Sequence, residues 1–214
     1  MTRVKICGIR DVEHALAAAD SGADFIGLVF AASKRQVDAD RARDLIAILK
    51  QGYPAVETVG VFVDTPAIEV NRIVEHCGLD RVQLSGDEPW DYVSDIIVPV
   101  IKVIRVQAET SGRTLISLME RRARYLDDNM IFMLDGAAPG SYGGSGQSFD
   151  WRIACEAASR YPVMVAGGLT PQNVGEAIRQ ANPWGVDVSS GVESDGLKDD
   201  TLIRMFISAA KAKG

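Results

Sequence analysis

Apolar runs recur eight times along the chain, separated by stretches with helical spacing. The runs are VKIC (4–7), FIGLVF (25–30), VGVFV (59–63), RVQL (81–84), VIKVI (100–104), MIFMLD (130–135), VMVA (163–166) and GVDVS (185–189). Each is continuous rather than alternating, the pattern of parallel strands buried on both faces. After the first run, Val12, Ala15, Leu16 and Ala19 follow at i, i+3, i+4, i+7, with Asp11 as cap and Gly22 as stop. Thr65-Pro66 and Thr170-Pro171 each read as an N-cap followed by proline in the first helical turn. A last helix is expected over roughly 200–212. Eight strand–helix units predict an α/β fold, a single-domain (β/α)₈ barrel over 1–214. A doubly wound open sheet would want a GxGxxG turn after the first strand, and CGIRD does not supply one.

Composition narrows the partners. The 47% hydrophobic content suits a well-cored globular protein, and the 214 residues lie near the lower end of the barrel's range. A net charge of −6 with no basic stripe argues against a nucleic-acid partner. No signal-peptide or membrane-length apolar segment is seen, so a cytoplasmic location and no membrane association are expected. Cys7, Cys77 and Cys155 are far apart with no CxxC, which fits a reducing compartment and gives no zinc site. His14 and His76 lie in helical patterns and read as solvated surface side chains. The expected assembly is a monomer or weak homodimer.

The candidate chemistry gathers at strand ends, where barrels keep their sites. Cys7 ends the first strand and faces Asp135, which ends the sixth, across the barrel mouth. A thiol acts as a base only as thiolate, so nearby donors or a cation would have to lower its pKa. Cys77 and Cys155, inside helices, read as small buried apolar residues. Asp135 opens GAAPGSYGGSGQSFDW, a glycine-rich loop long enough to serve as a lid. Burial under such a lid would keep its carboxyl protonated, as a general acid requires. Arg35, a few residues past the second strand, is placed to grip a substrate carboxylate with a bidentate fork.

VAGGLT (165–170) and GVDVSSGVE (185–193) close strands seven and eight, the usual phosphate position in barrels. Gly167 and Gly168 in the first, with Ser190 and Gly191 in the second, are the candidate phosphate-binding residues. Ser190 and Glu193 have capping-box spacing, so a short helix is expected just after Gly191. A branched residue at Gly191 is expected to fill the phosphate space and to resist unusual backbone angles. Asp187 ends strand eight between these loops. It reads either as an acceptor for sugar hydroxyls or as a structural partner of a neighbouring loop.

These segments together resemble the phosphoribosylanthranilate isomerase family of tryptophan biosynthesis. The resemblance rests on VKICGI, GLVF followed by SKR, VGVFV, VQL.G.E, LD followed by YGGSG and FDW, GGLTPQNV, GVDVSSGVE and GLKD, in the family's order over nearly the whole chain. It implies a barrel enzyme without cofactor or metal, acting on a small phosphorylated substrate by an Amadori rearrangement. By the resemblance, Cys7 is the general base, Asp135 the general acid and Arg35 the anchor for the anthranilate carboxylate. The phosphate would lie at Gly168, Ser190 and Gly191. The chain departs from the family where Ser85 replaces a histidine, where Ala31 and Ala32 replace an aromatic and a proline, and where Gly136 follows the acid. Two alternatives stay open: the related aminoaldose-phosphate isomerase of histidine biosynthesis, and a barrel that binds a phosphorylated ligand without turnover. The family of the first ends its opening strand in Asp rather than Cys.

Overall fold

Eight strands form on the eight apolar runs and pair in parallel, in sequence order, until the eighth meets the first and closes the barrel. They are β1 (Arg3–Cys7), β2 (Phe25–Val29), β3 (Glu57–Phe62), β4 (Arg81–Leu84), β5 (Val100–Arg105), β6 (Ile131–Asp135), β7 (Val163–Ala166) and β8 (Gly185–Val188). This computed structural model describes residues 1–107, 110–122, 130–136 and 149–212. Of the expected lid, 136–151, residues 137–148 lie outside the described residues.

Side-chain alternation sorts each strand into an inward and an outward row. Phe25, Val59, Ile101, Ile131, Met133, Met164 and Ala166 pack together inside the barrel. The opposite row, including Val4, Ile6, Ile26, Leu28, Val82, Phe132 and Val165, packs under the helices. Those helices are α1 (Val12–Asp20), α2 (Ala39–Gly52), α3 (Ala67–Cys77), α4 (Gly112–Arg122), α5 (Arg152–Ala158), α6 (Val174–Ala181) and α7 (Asp200–Lys211).

The expectation of eight helices fails at the fourth connection, where a 3₁₀ helix, Trp90–Asp95, stands in for an α-helix. Pro89 and Pro99 bracket this short segment, and each removes a backbone donor that a longer helix would use. Two N-termini also differ from expectation. α1 is capped by Asp11 as read, its carboxylate accepting from the His14 N–H at 3.1 Å. Thr65 does not cap α3, which starts after Pro66 without a side-chain cap. After β7, Asn173 replaces Thr170 as the organising residue. Its Oδ1 accepts from the Thr170 N–H at 2.7 Å and its Nδ2 donates to the Gly168 carbonyl at 2.9 Å. A carboxamide both accepts and donates, so it ties a turn from two sides, which a threonine hydroxyl does less well.

No helix follows Gly191. Ser190–Val192 forms a single 3₁₀ turn with no side-chain cap, and the chain then enters a hairpin of β9 (Glu193–Ser194) and β10 (Leu197–Lys198). Its two-residue turn, Asp195-Gly196, has φ of 52° and 78°, the geometry a type I′ turn requires. No helix among the described residues is long and apolar enough to cross a membrane.

Candidate active site

The inward row changes character at the C-terminal rim, where apolar side chains give way to polar ones. Cys7, Asp135, Arg35 and Asp187 line one cavity there, with Gln83, Ser85, Arg105 and Ser189 among its other walls. Four residues expected from sequence to act on substrate thus share one space. The expected phosphate residues Gly167, Gly168, Ser190 and Gly191 do not line it, although their neighbour Ser189 does.

Beneath this space lies a residue that the apolar pattern concealed. Lys5 is two positions before Cys7 on β1, so both side chains point inward. Its ammonium is 0% exposed and donates to Asp187 Oδ1 at 2.8 Å. Lys5 and Asp187 are also direct partners in the β1–β8 register. Asp187 therefore has a structural partner, which is the strand beside it rather than a loop. The signal available in the sequence was a lysine with strand parity matching that of the candidate base.

The local charges act differently on the two candidate proton carriers. Burial raises the pKa of Asp135, the negative charge of Asp187 raises it further, and Arg105 and Lys5 pull it back, leaving it at about 6. This is the direction a general acid needs. Cys7 departs from expectation. Burial pushes its thiol up, Asp187 adds to the rise, and the cations Lys5 and Lys198 offset only part of it. The thiol therefore sits above its ordinary range, because desolvation outweighs the nearby donors.

Arg35 is already engaged. Its Nε donates to Glu193 Oε1 at 2.6 Å and its Nη2 to Glu193 Oε2 at 2.9 Å. The bidentate fork expected for a substrate carboxylate thus holds a protein carboxylate delivered by the β9–β10 hairpin. Lys198 joins it, donating to Glu193 Oε1 at 2.9 Å and to the Ser189 carbonyl at 2.8 Å. Burial alone would raise the Glu193 pKa, but hydrogen bonds from Arg35 and Lys198 win and hold it at about 2. Glu193 is therefore not a capping-box partner of Ser190. An extended backbone at Glu193 and three cations within reach, Arg35, Lys198 and, at 3.6 Å, Lys34, direct its side chain to Arg35 instead. The Asp195-Gly196 turn was the sequence signal for this hairpin.

The two loops after β7 and β8 touch closely. Gly167 and Gly168 have φ of 87° and 62°, so both adopt conformations that favour glycine. Neither N–H donates to an acceptor among the described residues. Gly191 has no such φ. A Cβ there would lie 1.8 Å from the Leu169 carbonyl oxygen, so what demands glycine is the approach of the preceding loop, not an unusual backbone angle.

Ser85 stands on the wall between β4 and Arg105. Gln83 donates to its hydroxyl at 3.0 Å, while Gln83 Oε1, buried, has no partner among the described residues. Arg105 donates to the Ser85 carbonyl at 2.6 Å and to Asp87 at 2.7 Å. Sequence reading missed both Gln83 and Arg105, because inside a parallel strand the apolar pattern does not show which parity faces the cavity. Away from the site, Cys77 is buried as expected, but Cys155 is exposed on the outer face of α5. Both histidines meet carboxylates, His14 with Asp11 at 2.7 Å and His76 with Asp40 at 2.9 Å. Among the described residues no three His, Cys, Asp or Glu side chains gather at metal-binding spacing.

The fold and this cavity define a class, a (β/α)₈ barrel with titratable side chains gathered at the C-terminal ends of its strands. Comparison with known proteins narrows it. Residues 4–209 match the family model described as N-(5'-phosphoribosyl)anthranilate (PRA) isomerase, and the chain belongs to that family. It is 47% identical over 211 residues to the N-(5'-phosphoribosyl)anthranilate isomerase of Dehalococcoides mccartyi, spanning 99% of this chain and 96% of that one. The crystal structure of phosphoribosyl anthranilate isomerase from Thermotoga maritima superposes with a TM-score of 0.84 at 39% identity, over 99% of each chain. A phosphoribosyl anthranilate isomerase in complex with reduced 1-(o-carboxyphenylamino)-1-deoxyribulose 5-phosphate superposes with a TM-score of 0.81 at 37% identity, over 99% of each chain.

Proposed function

We propose that this chain converts N-(5-phosphoribosyl)anthranilate to 1-(2-carboxyphenylamino)-1-deoxyribulose 5-phosphate, a step of tryptophan biosynthesis, by an Amadori rearrangement. Family membership over nearly the whole chain supports the reaction. The observation that carries the mechanism is that Asp135, with a pKa of about 6, and Cys7 line one cavity from opposite strands of the barrel.

In this reading Asp135 protonates the furanose ring oxygen, the lone pair of the anilino nitrogen forms a C1=N bond as the C1–O bond breaks, and the ring opens to an iminium. Cys7, as thiolate, removes the proton from C2, and the electron pair moves to the iminium to leave an enolamine. Tautomerisation gives the ketone. The substrate's own iminium is the electron sink, so the chain's residues need only move protons. The phosphate rests against the N–H groups of the turns at Gly167, Gly168, Ser190 and Gly191. Arg35 lies toward the anthranilate carboxylate. With two of its donors on Glu193, it offers its remaining Nη1 and its charge rather than a full fork. The protein acts in the cytoplasm as a monomer or weak homodimer.

The test follows loss of substrate fluorescence with purified protein. Asp135→Asn keeps the shape but cannot donate a carboxyl proton, and Cys7→Ala removes the base. Each should lower kcat by at least about 100-fold, the low end of general acid–base contributions. Wild-type turnover in either variant would defeat that residue's role.

A further inference from the structure

A thiol base that sits above its ordinary range needs a source of stabilisation once it loses its proton. The groups facing Cys7 are few. Lys5 shares its strand, Asp187 and Ser189 come from β8 and its loop, and Lys198 reaches in from the hairpin. Arg35 stands on the wall after β2, and Arg105 and Asp135 on the β5–β6 side. Of the cations, Arg35 and Lys198 share the Glu193 carboxylate, and Arg105 pairs with Asp87. Lys5 alone is fully buried, and it has one carboxylate, Asp187, for three N–H donors.

The backbone opposite makes room for a second contact. Gly27 is the β2 partner of Cys7. A Cβ at Gly27 would stand 2.9 Å from Cys7 Sγ and 3.0 Å from Lys5 Nζ, so ammonium and sulfur converge over that glycine. The Gly27 carbonyl also accepts from the N–H groups of Gly8 and Ile9, at 2.9 and 3.1 Å, which fixes the turn just past Cys7. A buried cation beside a thiol favours its ionised form, whereas the neighbouring carboxylate opposes it.

We propose that Lys5 is a positioning residue for the base: its buried ammonium, shared between Asp187 and Cys7 over Gly27, holds Cys7 as thiolate during proton abstraction. This rests on the assignment of Cys7 as base and adds the group that makes the assignment chemically workable. The carboxylate that orients Lys5 also opposes the thiolate, so Lys5 and Asp187 set the ionisation of Cys7 together.

The experiment measures the pH midpoint of Cys7 alkylation by iodoacetamide, read on the Cys7 peptide by mass spectrometry in a Cys155→Ala background. Lys5→Met alone would leave Asp187 buried without its partner and is open to misfolding. The informative pair is therefore Asp187→Asn against Lys5→Met/Asp187→Asn, in which no unpaired carboxylate remains. Asp187→Asn should lower the midpoint below that of the parent. The double variant should raise it by at least about one pH unit above Asp187→Asn, a tenfold loss of thiolate at fixed pH. Coincident midpoints in the two variants would overturn the role of Lys5. Turnover of Cys7→Ala, measured alongside, separates the two ideas. If Cys7→Ala is inactive while the midpoints coincide, the base stands and only the positioning role is lost.

Discussion

Lys5 and Lys102 are both buried in this barrel, each with a carboxylate, and the difference between them separates structure from function. Lys102, on β5, points outward to Glu88 in the loop after β4, and both side chains are almost wholly buried, at 3% and 2% exposed. Glu88 also accepts from the N–H groups of Asp64 and Gly86, at 3.0 and 3.1 Å, so backbone donors saturate the carboxylate. Lys5, on β1, points inward to Asp187, and Asp187 receives no other donor from the described residues. The outer pair is closed on itself and locks a loop that lacks an α-helix. The inner pair borders a cavity and leaves hydrogen-bonding capacity unspent. A saturated pair can only hold structure, whereas an unsaturated one is available to a ligand or to a neighbouring thiol.

The largest effect should come from breaking the outer pair. Lys102→Met strands the Glu88 carboxylate among backbone donors and should cost about 3–5 kcal/mol of stability in urea denaturation. Lys102→Met/Glu88→Gln should recover much of that loss, because no charge is left unpaired. The kcat of the folded protein should be unchanged in both, since neither side chain lines the cavity. A matching fall in kcat would erase the distinction between the pairs.

A smaller effect, opposite in sign, is expected on the inner side. Asp135 has a folded pKa of about 6 against an ordinary value of 3.8, raised by burial and then by Asp187. Its contribution to stability is complete below about pH 4 and is lost as pH rises through about 6. Asp135→Asn cannot ionise and escapes that loss. It should match the wild type in stability near pH 4 and exceed it above pH 6 by about 1–3 kcal/mol, since one pKa unit is worth about 1.4 kcal/mol. Denaturation curves across this range test it, and a variant less stable than wild type at pH 8 would contradict the environment assigned to the carboxyl. Lost turnover together with gained stability would mark Asp135 as a residue kept for chemistry rather than for folding.

How far the sequence carried this contrast depends on distance along the chain. The eight strands were legible to within two residues at either end, because continuous apolar runs have no other stable use in a chain of this size. Cys7, Asp135 and Asp187 were legible because each lies at or within one residue of a strand end, and a strand end in a barrel is a place on the rim. The partners were not. Arg35 and Glu193 lie 158 residues apart and Lys5 and Asp187 lie 182 apart, and only barrel closure brings them together. Register carried the rest. A lysine within an apolar run such as VKIC reads as an interruption until the inward parity of Cys7 is known. The fourth connection misled for a local reason, since Pro89 and Pro99 bracket a segment too short for a full helix. Thr65 and Thr170 had the composition of caps without the geometry.

The smallest effect sharpens the comparison at the phosphate loops, where backbone rather than charged side chains is expected to carry binding. Ser190 lies in the 3₁₀ turn after β8, but its side chain caps nothing. Ser190→Ala should therefore shift stability by less than about 0.5 kcal/mol, within the range of ordinary surface changes. It should also keep the gain in melting temperature expected for the wild type in millimolar inorganic phosphate, because any ligand of the native state stabilises it and N–H donors survive the substitution. Gly191 is the wrong place for this test, since any Cβ there meets the Leu169 carbonyl before it meets a ligand. Melting curves with and without phosphate decide the matter. If Ser190→Ala folds normally and loses the whole phosphate-induced shift, the hydroxyl is a principal donor. The phosphate site would then resemble the inner ion pair, held by a side chain, rather than a cradle of backbone.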